Sequence, residues 1–172
     1  MEILTNLEYY DNRKNKVAQP TASPFDLLNT AFMDSGMSLI VEKNIEIKSP
    51  ILLVFINTGK DQLMISPRIH VDIGKSSSIS LIEHHIGLGS GNFSNSTTIF
   101  SLKENSHCKH IRLQKDSDQA INAGNIHLEQ EKHSKYYLSH FGFGSSLGSI
   151  GVNSNLNGQG AECHLSGLCL LR

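Results

Sequence analysis

The sequence predicts an all-β fold in which short strands stack into a β-solenoid, preceded by one short helix. Turn clusters recur along the chain at steps of 29, 28 and 27 residues, starting at Gly74, Lys103, Glu131 and Gly158. Each cluster precedes a strand-like run, a second such run lies between successive clusters, and no helical stretch separates them. A repeat of this length predicts a stacked array in which each unit covers the apolar face of its neighbour.

The strand-like runs form two series, with one member of each series in every repeat. The first series lies at residues 80–85, 108–113, 136–141 and 163–168, and the second at 97–102, 121–129 and 150–156. Aligning the turn clusters places Ile79, Cys108, Tyr136 and Cys163 at equivalent positions in successive repeats. We expect this column to be core, with cysteine acting as a small hydrophobic residue.

The chain divides into three parts. Residues 1–22 are polar and are interpreted as a loose lead-in, and residues 23–35 as a short helix. Ser23 is a good N-cap, Pro24 suits the first helical position, and Asp26 lies in the first turn. We expect this helix to cover one end of the solenoid. Residues 36–172 form the predicted β-helix core, which we expect to be truncated at its C-terminal end because no capping element follows the last strand-like run.

Composition excludes several classes of partner and points to the cytoplasm. Lys and Arg total 15, Asp and Glu total 16, and the formal net charge is −1. No basic stripe is visible, so we expect neither nucleic acid nor a membrane surface as a partner. The longest apolar run, residues 51–56, is far too short to span a bilayer. The N-terminus lacks the basic region of a secretory signal, and three cysteines give no disulfide framework, so we expect a cytoplasmic protein.

Histidines and cysteines are numerous enough to raise the question of a metal site. Cys108, His110 and Cys163 would be the ligands of a simple metal-binding module. Strong zinc sites have closely spaced ligand pairs, which this sequence lacks, so structural cysteines are favoured over ligands. We therefore expect no metal ligand among these residues.

The same alignment of repeats places Glu83 beside Arg112 and His140. A cross-strand ion pair is the favoured interpretation of this group. The alternative is the catalytic carboxylate of a carbohydrate-active β-helix enzyme. A cleft lined by several carboxylates would support that alternative.

Several segments, taken in order, resemble the SufB/SufD family of the SUF iron–sulfur cluster assembly system. They are Leu28-Asn29-Thr30-Ala31-Phe32, residues 36–47 with Ser49-Pro50-Ile51, Pro67-Arg68 with Ile82-Glu83-His84-His85, and Leu156-Asn157-Gly158-Gln159-Gly160-Ala161. The resemblance covers residues 25–172. His84-His85 stands where SufB-type chains tend to carry Gly-Cys, so the chain is more similar to SufD.

The resemblance implies a right-handed parallel β-helix and a non-catalytic scaffold role. SufD pairs with SufB and binds the SufC ATPase, so SufB-like and SufC-like subunits are the implied partners, and a homodimer is left open. The implied cofactor is an iron–sulfur cluster handled by the full complex, with none bound by this fragment. The family's Cys-x-His-Gly segment and its C-terminal helices do not occur here, and Ser149 stands near the place of a common Arg. The resemblance therefore assigns no catalytic residue and no metal ligand to this chain.

Overall fold

The computed structural model describes residues 2–4, 23–33, 35–58, 63–89 and 91–170. Within this part the helix α1 spans Pro24–Phe32. The strands are β1 Glu2–Leu4, β2 Ser35–Val41, β3 Ile51–Asn57, β4 Met64–Ile65, β5 Pro67–Ile73, β6 Ser78–Gly87, β7 Phe93–Leu102, β8 His107–Lys115, β9 Ile121–Gln130, β10 Lys135–Phe143, β11 Leu147–Leu156 and β12 Glu162–Leu170.

The strands form two sheets, and in each turn the chain passes from the first sheet to the second and back. In the first sheet the order is β1-β2-β5-β7-β9-β11, with β4 beside β7, and in the second sheet it is β3-β6-β8-β10-β12. The pairs are parallel except for β1 with β2. From β5 onward consecutive strands alternate between the sheets, and the chain winds into a solenoid of about five turns. The predicted all-β solenoid is confirmed.

The turn clusters found in the sequence form the corners that connect the first sheet to the second. One residue of each corner has a left-handed backbone, with φ between 55° and 72°: Asn44, Ser76, Asn105, His133 and Gly160. Successive corners are hydrogen-bonded to one another, for example from His133 N to the oxygen of Gln159 at 3.0 Å. The corners therefore stack as regularly as the strands do.

The register of the second sheet matches the sequence prediction. Ile79 pairs with Cys108, Cys108 with Tyr136, and Tyr136 with Cys163. The first three are at most 4% exposed and belong to the hydrophobic core, against which Cys163 packs. Because parallel strands stack in register, one inward position in each turn fills the same level of the core.

Helix α1 begins as predicted but lies elsewhere than expected. Ser23 accepts a hydrogen bond from Asp26 N, and Asp26 accepts one from Ser23 N, so the two residues form a capping box. The helix contacts β7 and β9, in the middle of the first sheet. The expectation that it covers an end of the solenoid is therefore wrong, because its polar side chains are bound along the outer side of that sheet.

The predicted lead-in over residues 1–22 lies outside the described residues, apart from Glu2–Leu4. That short segment is β1, which adds to the edge of the first sheet beside β2. Residues 45–47, whose apolar pattern resembles a strand, contribute one bridge, from Glu46 to Ser78. In the part of the chain that the structure describes, no helix has the length and apolar character required to cross a membrane.

Candidate functional site

A group of buried polar side chains lies inside the solenoid and is called here the inner polar cluster: Glu83, His85, His110, Arg112 and His140. They come from the adjacent strands β6, β8 and β10. Side chains alternate along a strand, so Glu83 and His85 point inward like the buried Ile79 and Leu81 that precede them. The five side chains of the cluster belong to residues that are at most 6% exposed.

Glu83 is the centre of the cluster. Its Oε2 lies 3.2 Å from Nε2 of His85, and its Oε1 lies 3.4 Å from Nε2 of His110. Thr98, on the opposite sheet, donates a hydrogen bond to Oε1 at 2.9 Å. The carboxylate therefore joins both walls of the solenoid.

Arg112 provides the fixed positive charge of the cluster. Glu83 and Arg112 are in register on β6 and β8, and Nε of Arg112 lies 3.9 Å from Oε2 of Glu83. Its Nη2 donates to Ser96 at 3.2 Å and to Asn122 at 3.4 Å, both in the first sheet. The predicted cross-strand ion pair is confirmed, and the guanidinium bridges the two sheets as the carboxylate does.

Aromatic rings close the cluster on its apolar side. Nδ1 of His110 is hydrogen-bonded to the hydroxyl of Tyr136 at 2.6 Å. The ring of Phe100 lies 5.1 Å from each of these two rings, and Phe55 stacks on His85 at 4.8 Å. These contacts fix the orientation of the imidazoles and surround the charges with low-polarity groups.

Burial and neighbouring charges set the protonation of the cluster. Burial raises the pKa of Glu83, but His110 and His85 lower it more, so that this pKa lies well below its usual value. For His85, burial and the nearby Arg112 lower the pKa from 6.5 to about 4. The same two causes, in the same order, lower the pKa of His140 to about 4. Near neutral pH the cluster thus holds one carboxylate, one guanidinium and two neutral imidazoles.

This arrangement favours a structural role over a catalytic one. Glu83 is 0% exposed and Arg112 is 1% exposed, so a substrate outside the solenoid does not reach them. A general acid or base has to lie within hydrogen-bond reach of its substrate. What the cluster can do chemically is bind the two sheets together through buried charge-assisted contacts.

The structure does not bring the three candidate metal ligands together. Cys108 and His110 are two residues apart on β8, but Tyr136 lies between Cys108 and Cys163 in the same column. Burial raises the pKa of the Cys108 thiol, which favours the uncharged form over the metal-binding thiolate. Among the described residues, no three His, Cys, Asp or Glu side chains are placed so that they could hold one ion.

A groove of about 890 Å³ runs along the outer side of the first sheet. Three of its lining side chains are carboxylates, from Asp72, Glu129 and Glu131. Glu129 accepts hydrogen bonds at 2.6 Å from the amides of Asn155 and Asn157. Glu131 is paired with Lys103 at 2.8 Å. The groove has the carboxylates that a carbohydrate-active site needs, but neighbouring side chains hold Glu129 and Glu131 in place.

A second buried polar group anchors α1 on the first sheet. Asn29 donates to the oxygens of Asn95 at 2.7 Å and Pro67 at 3.2 Å, and accepts from Nε of Arg68 at 2.8 Å. Arg68 also donates to Thr30 at 2.7 Å. Two of the segments that carry the family resemblance, residues 28–32 and Pro67-Arg68, therefore contact each other directly.

Sequence reasoning found three of the five members of the inner polar cluster. The column of Glu83, Arg112 and His140 is in register as predicted. The sequence analysis did not place His85 and His110 beside Glu83, because it treated His110 as a candidate metal ligand and His85 as part of a segment that carries the family resemblance. The alternation of side chains along a strand could have identified them. His85 lies two residues from Glu83 and His110 lies two residues from Arg112, so each points to the same side as its neighbour in the cluster.

Comparison with known proteins identifies the family. Residues 55–172 match the SufBD core domain of the SUF system for FeS cluster assembly. This chain belongs to the SufBD family. The matched region contains β5 to β12 and the whole inner polar cluster, while the contact from Arg68 to Asn29 links it to α1.

A curated SufBD relative extends the similarity. The chain is 28% identical over 133 residues to a protein of Synechocystis sp. (strain ATCC 27184 / PCC 6803 / Kazusa) named an iron–sulfur cluster assembly SufBD family protein. The match covers 72% of this chain and 29% of the relative. The chain thus spans less than a third of the length of that relative.

Proposed function

We propose that this chain is a SufD-like, non-catalytic scaffold subunit of the SUF iron–sulfur cluster assembly complex. The observation that carries the proposal is the match of residues 55–172 to the SufBD core domain. The SufD-like assignment is supported by His84-His85 at the position where SufB-type chains tend to carry Gly-Cys. In this role no residue of the chain is catalytic and none ligates a metal, and the iron–sulfur cluster is a product of the whole complex.

The geometry supports a scaffold role in a specific way. The ionisable groups of the inner polar cluster, such as Glu83 and His110, are sealed between the two sheets. They stiffen the solenoid across its interior instead of facing a cleft. A rigid rod of stacked turns suits a subunit that holds partners in fixed positions, and the partners proposed here are a SufB-like subunit and a SufC-like ATPase in the cytoplasm.

Co-expression tests the proposal. The chain would carry an affinity tag and be produced with the SufB-type subunit, the SufC-type subunit, or both, from the same organism. We expect the SufB-type subunit to co-elute with the tagged chain through a gel-filtration step, with or without the SufC-type subunit. The SufC-type subunit expressed without a SufB-type subunit is the control for indirect capture. Elution of the chain without the SufB-type subunit at every ratio would contradict the proposal.

The carbohydrate-active alternative is supported by one observation, the groove that contains Asp72, Glu129 and Glu131. It predicts that the purified chain releases reducing ends from an acidic or neutral polysaccharide and that Glu129→Gln abolishes the release. The hydrogen bonds from Asn155 and Asn157 that hold Glu129 favour the opposite result. Hydrolysis that depends on Glu129 would replace the scaffold proposal with this one.

A further inference from the structure

The Asn157-Gly158 pair begins the corner between β11 and β12, and it is the one Asn-Gly pair in the sequence. Glycine is required at the second position, because a Cβ at Gly158 would overlap the backbone nitrogen of Lys132 in the corner of the previous turn. An asparagine that precedes glycine is chemically labile, since no Cβ shields the next backbone nitrogen from the side-chain amide. The close stacking of the corners therefore places a reactive pair at this position.

Both reacting groups of this pair are accessible. None of the described residues accepts a hydrogen bond from Gly158 N, whereas Asn157 N donates to the oxygen of Gln130 at 2.8 Å. The side chain of Asn157 is exposed to water. Glu131, which occupies the equivalent position one turn earlier, is exposed as well, although the turn that contains Asn157 stacks on it. Exposure at this position is thus a property of the outer side of the corner.

Glu129 restrains the side-chain amide of Asn157. Nδ2 of Asn157 donates to Oε2 of Glu129 at 2.6 Å, and Nδ2 of Asn155 donates to Oε1 of the same carboxylate at 2.6 Å. Attack by Gly158 N on the amide carbon makes that carbon tetrahedral and expels Nδ2, so the hydrogen bond to Glu129 is lost along the reaction. Because a hydrogen bond to a charged acceptor is stronger than a neutral one, its loss slows the attack.

We propose that Asn157 is a site of spontaneous deamidation and that Glu129 is the residue that restrains it. Gly158 N loses its proton to hydroxide and attacks Cγ of Asn157. The new N–C bond closes a five-membered succinimide, the bond from Cγ to Nδ2 breaks, and the nitrogen takes a proton from water and leaves as ammonia. Water then opens the ring to an aspartate or an isoaspartate at position 157, with no oxidation or reduction. This inference does not depend on the proposed function, since it rests on the corner alone.

Both products disturb the corner. Aspartate at position 157 puts a carboxylate where an amide now donates to Glu129, and two carboxylates in contact repel each other. Isoaspartate lengthens the backbone within a corner whose bonds run from Asn157 N to the oxygen of Gln130 and from His133 N to the oxygen of Gln159. The modified chain should therefore unfold at a lower urea concentration than the unmodified chain.

Incubation of the folded chain at mildly alkaline pH in water enriched in oxygen-18 tests the site. Ring opening introduces a labelled oxygen at position 157, and peptide mass spectrometry locates it. Asn155 is the internal control, because the same carboxylate holds its amide but Leu156 follows it. We expect Asn157 to take up the label and Asn155 to keep its amide. Conversion of Asn155 at the same rate would overturn the role of Gly158.

Two variants test the restraint, with circular dichroism to verify that both keep the fold. Glu129→Ala should speed the conversion of Asn157 about threefold to tenfold, as expected from the loss of a hydrogen bond to a charged group. Glu131→Ala is the matched control. It removes a carboxylate of the same turn that is paired with Lys103 instead, and it should change the rate less than about twofold.

Urea separates the effect of the folded contact from any other effect of the variants. In unfolding concentrations of urea the three rates should converge, because Glu129 holds Asn157 only in the folded chain. A difference that persists in urea would overturn the restraint. Equal rates in the folded wild type and Glu129→Ala would overturn it as well. An Asn157 that keeps its amide in both folded chains, but not in urea, would overturn the proposed site.

Discussion

Gly124 lies directly over the guanidinium of Arg112. A Cβ at Gly124 would be 2.7 Å from Nη2 of Arg112, well inside van der Waals contact. The guanidinium cannot move away freely, because Ser96 and Asn122 hold the same nitrogen. A glycine on β9 of the first sheet thus provides the space for a buried charge that comes from the second sheet.

Gly124→Ala should destabilise the fold by about 1–3 kcal/mol, because the added methyl group displaces the guanidinium from its hydrogen bonds. The measurement is urea unfolding followed by circular dichroism. Gly167→Ala is the matched control, since the atom nearest to its added Cβ is 3.8 Å away. That variant should be neutral or slightly more stable, because alanine loses less backbone entropy on folding. Equal effects at the two positions would contradict the steric role of Gly124.

Glu83→Gln should cost about 3–5 kcal/mol of unfolding free energy, because it breaks the buried pair between Glu83 and Arg112 and leaves the guanidinium in place. The double variant Glu83→Gln with Arg112→Met should lose less than the two single variants together. A double-mutant cycle of urea unfolding measures this coupling.

Glu104→Gln is the control for the loss of a carboxylate as such. Glu104 is paired with Lys75 at 2.7 Å on the surface, where water and salt screen such pairs and leave them little effect on stability. Additive effects at Glu83 and Arg112 would mean that the buried pair does not act as a unit.

Stability should fall as the pH decreases from 6.5 to 4. The pKa of His85 is about 4 in the folded chain, against 6.5 ordinarily, so the unfolded chain binds more protons in this window. Stability decreases as the pH is lowered wherever the unfolded state binds more protons than the folded state. His85 alone therefore lowers the free energy of unfolding by about 3 kcal/mol between pH 6.5 and pH 4. The lowered pKa of Glu83 also makes the folded chain less stable at low pH. That loss of stability occurs at a lower pH than the loss from His85, because the pKa of Glu83 in the folded chain lies well below its usual value.

Unfolding free energies at several pH values between 7 and 4 check this prediction. The decrease should be smaller in His85→Gln, whose side chain does not titrate. His107→Gln, which changes an exposed histidine of β8, should keep the wild-type dependence. A His85→Gln variant with the full wild-type decrease would show that His85 is not the group responsible.

Asn29→Ala should destabilise the fold by about 2–4 kcal/mol, because it leaves Arg68 and two backbone oxygens without their buried partner. Leu27→Ala is the control on the same helix, since Leu27 is 60% exposed and its truncation should cost less than about 1 kcal/mol. Limited proteolysis reports the same difference locally, with earlier cleavage near α1 in Asn29→Ala. Equal stability of the two variants would mean that Asn29 does not anchor the helix.

The fold was predictable from the sequence because equivalent residues recur at a nearly constant spacing. The column from Ile79 to Cys163 followed from spacing alone, since parallel strands stack equivalent residues whatever their identity. The start of α1 followed from the local chemistry of Ser23 and Asp26. The position of α1 on the first sheet could not be predicted in this way, because it depends on the contact between Asn29 and Arg68. These residues are far apart in sequence, and neither has a local pattern that indicates the contact.

The candidate site was less predictable for a physical reason. Register placed Glu83 beside Arg112, but register says nothing about the opposite sheet, from which Thr98 and Ser96 reach the same charges. Whether a polar column faces inward or outward also has to be argued from the parity of a strand. Counting every second residue from the buried Ile79 places His85 inside the solenoid. The high number of histidines, by contrast, suggests a metal site and not a buried polar cluster.

The stacked corners give the molecule two sides with different tolerance for change in length. The corners at residues 74–77, 103–106 and 131–134 all have four residues, and their left-handed positions bond from turn to turn. The connections that return the chain to the first sheet shorten instead, from residues 88–92 and 116–120 to 144–146. The first shortening of the repeat therefore lies in the strand, since β8 has nine residues where β6 has ten, and only the last shortening lies on the return side. An epitope or a linker inserted between Asp118 and Gln119, which are both exposed, should interrupt only the local bond from Ala120 N to the oxygen of Ser117, whereas the same insertion after Lys132 would break the bonds from one corner to the next.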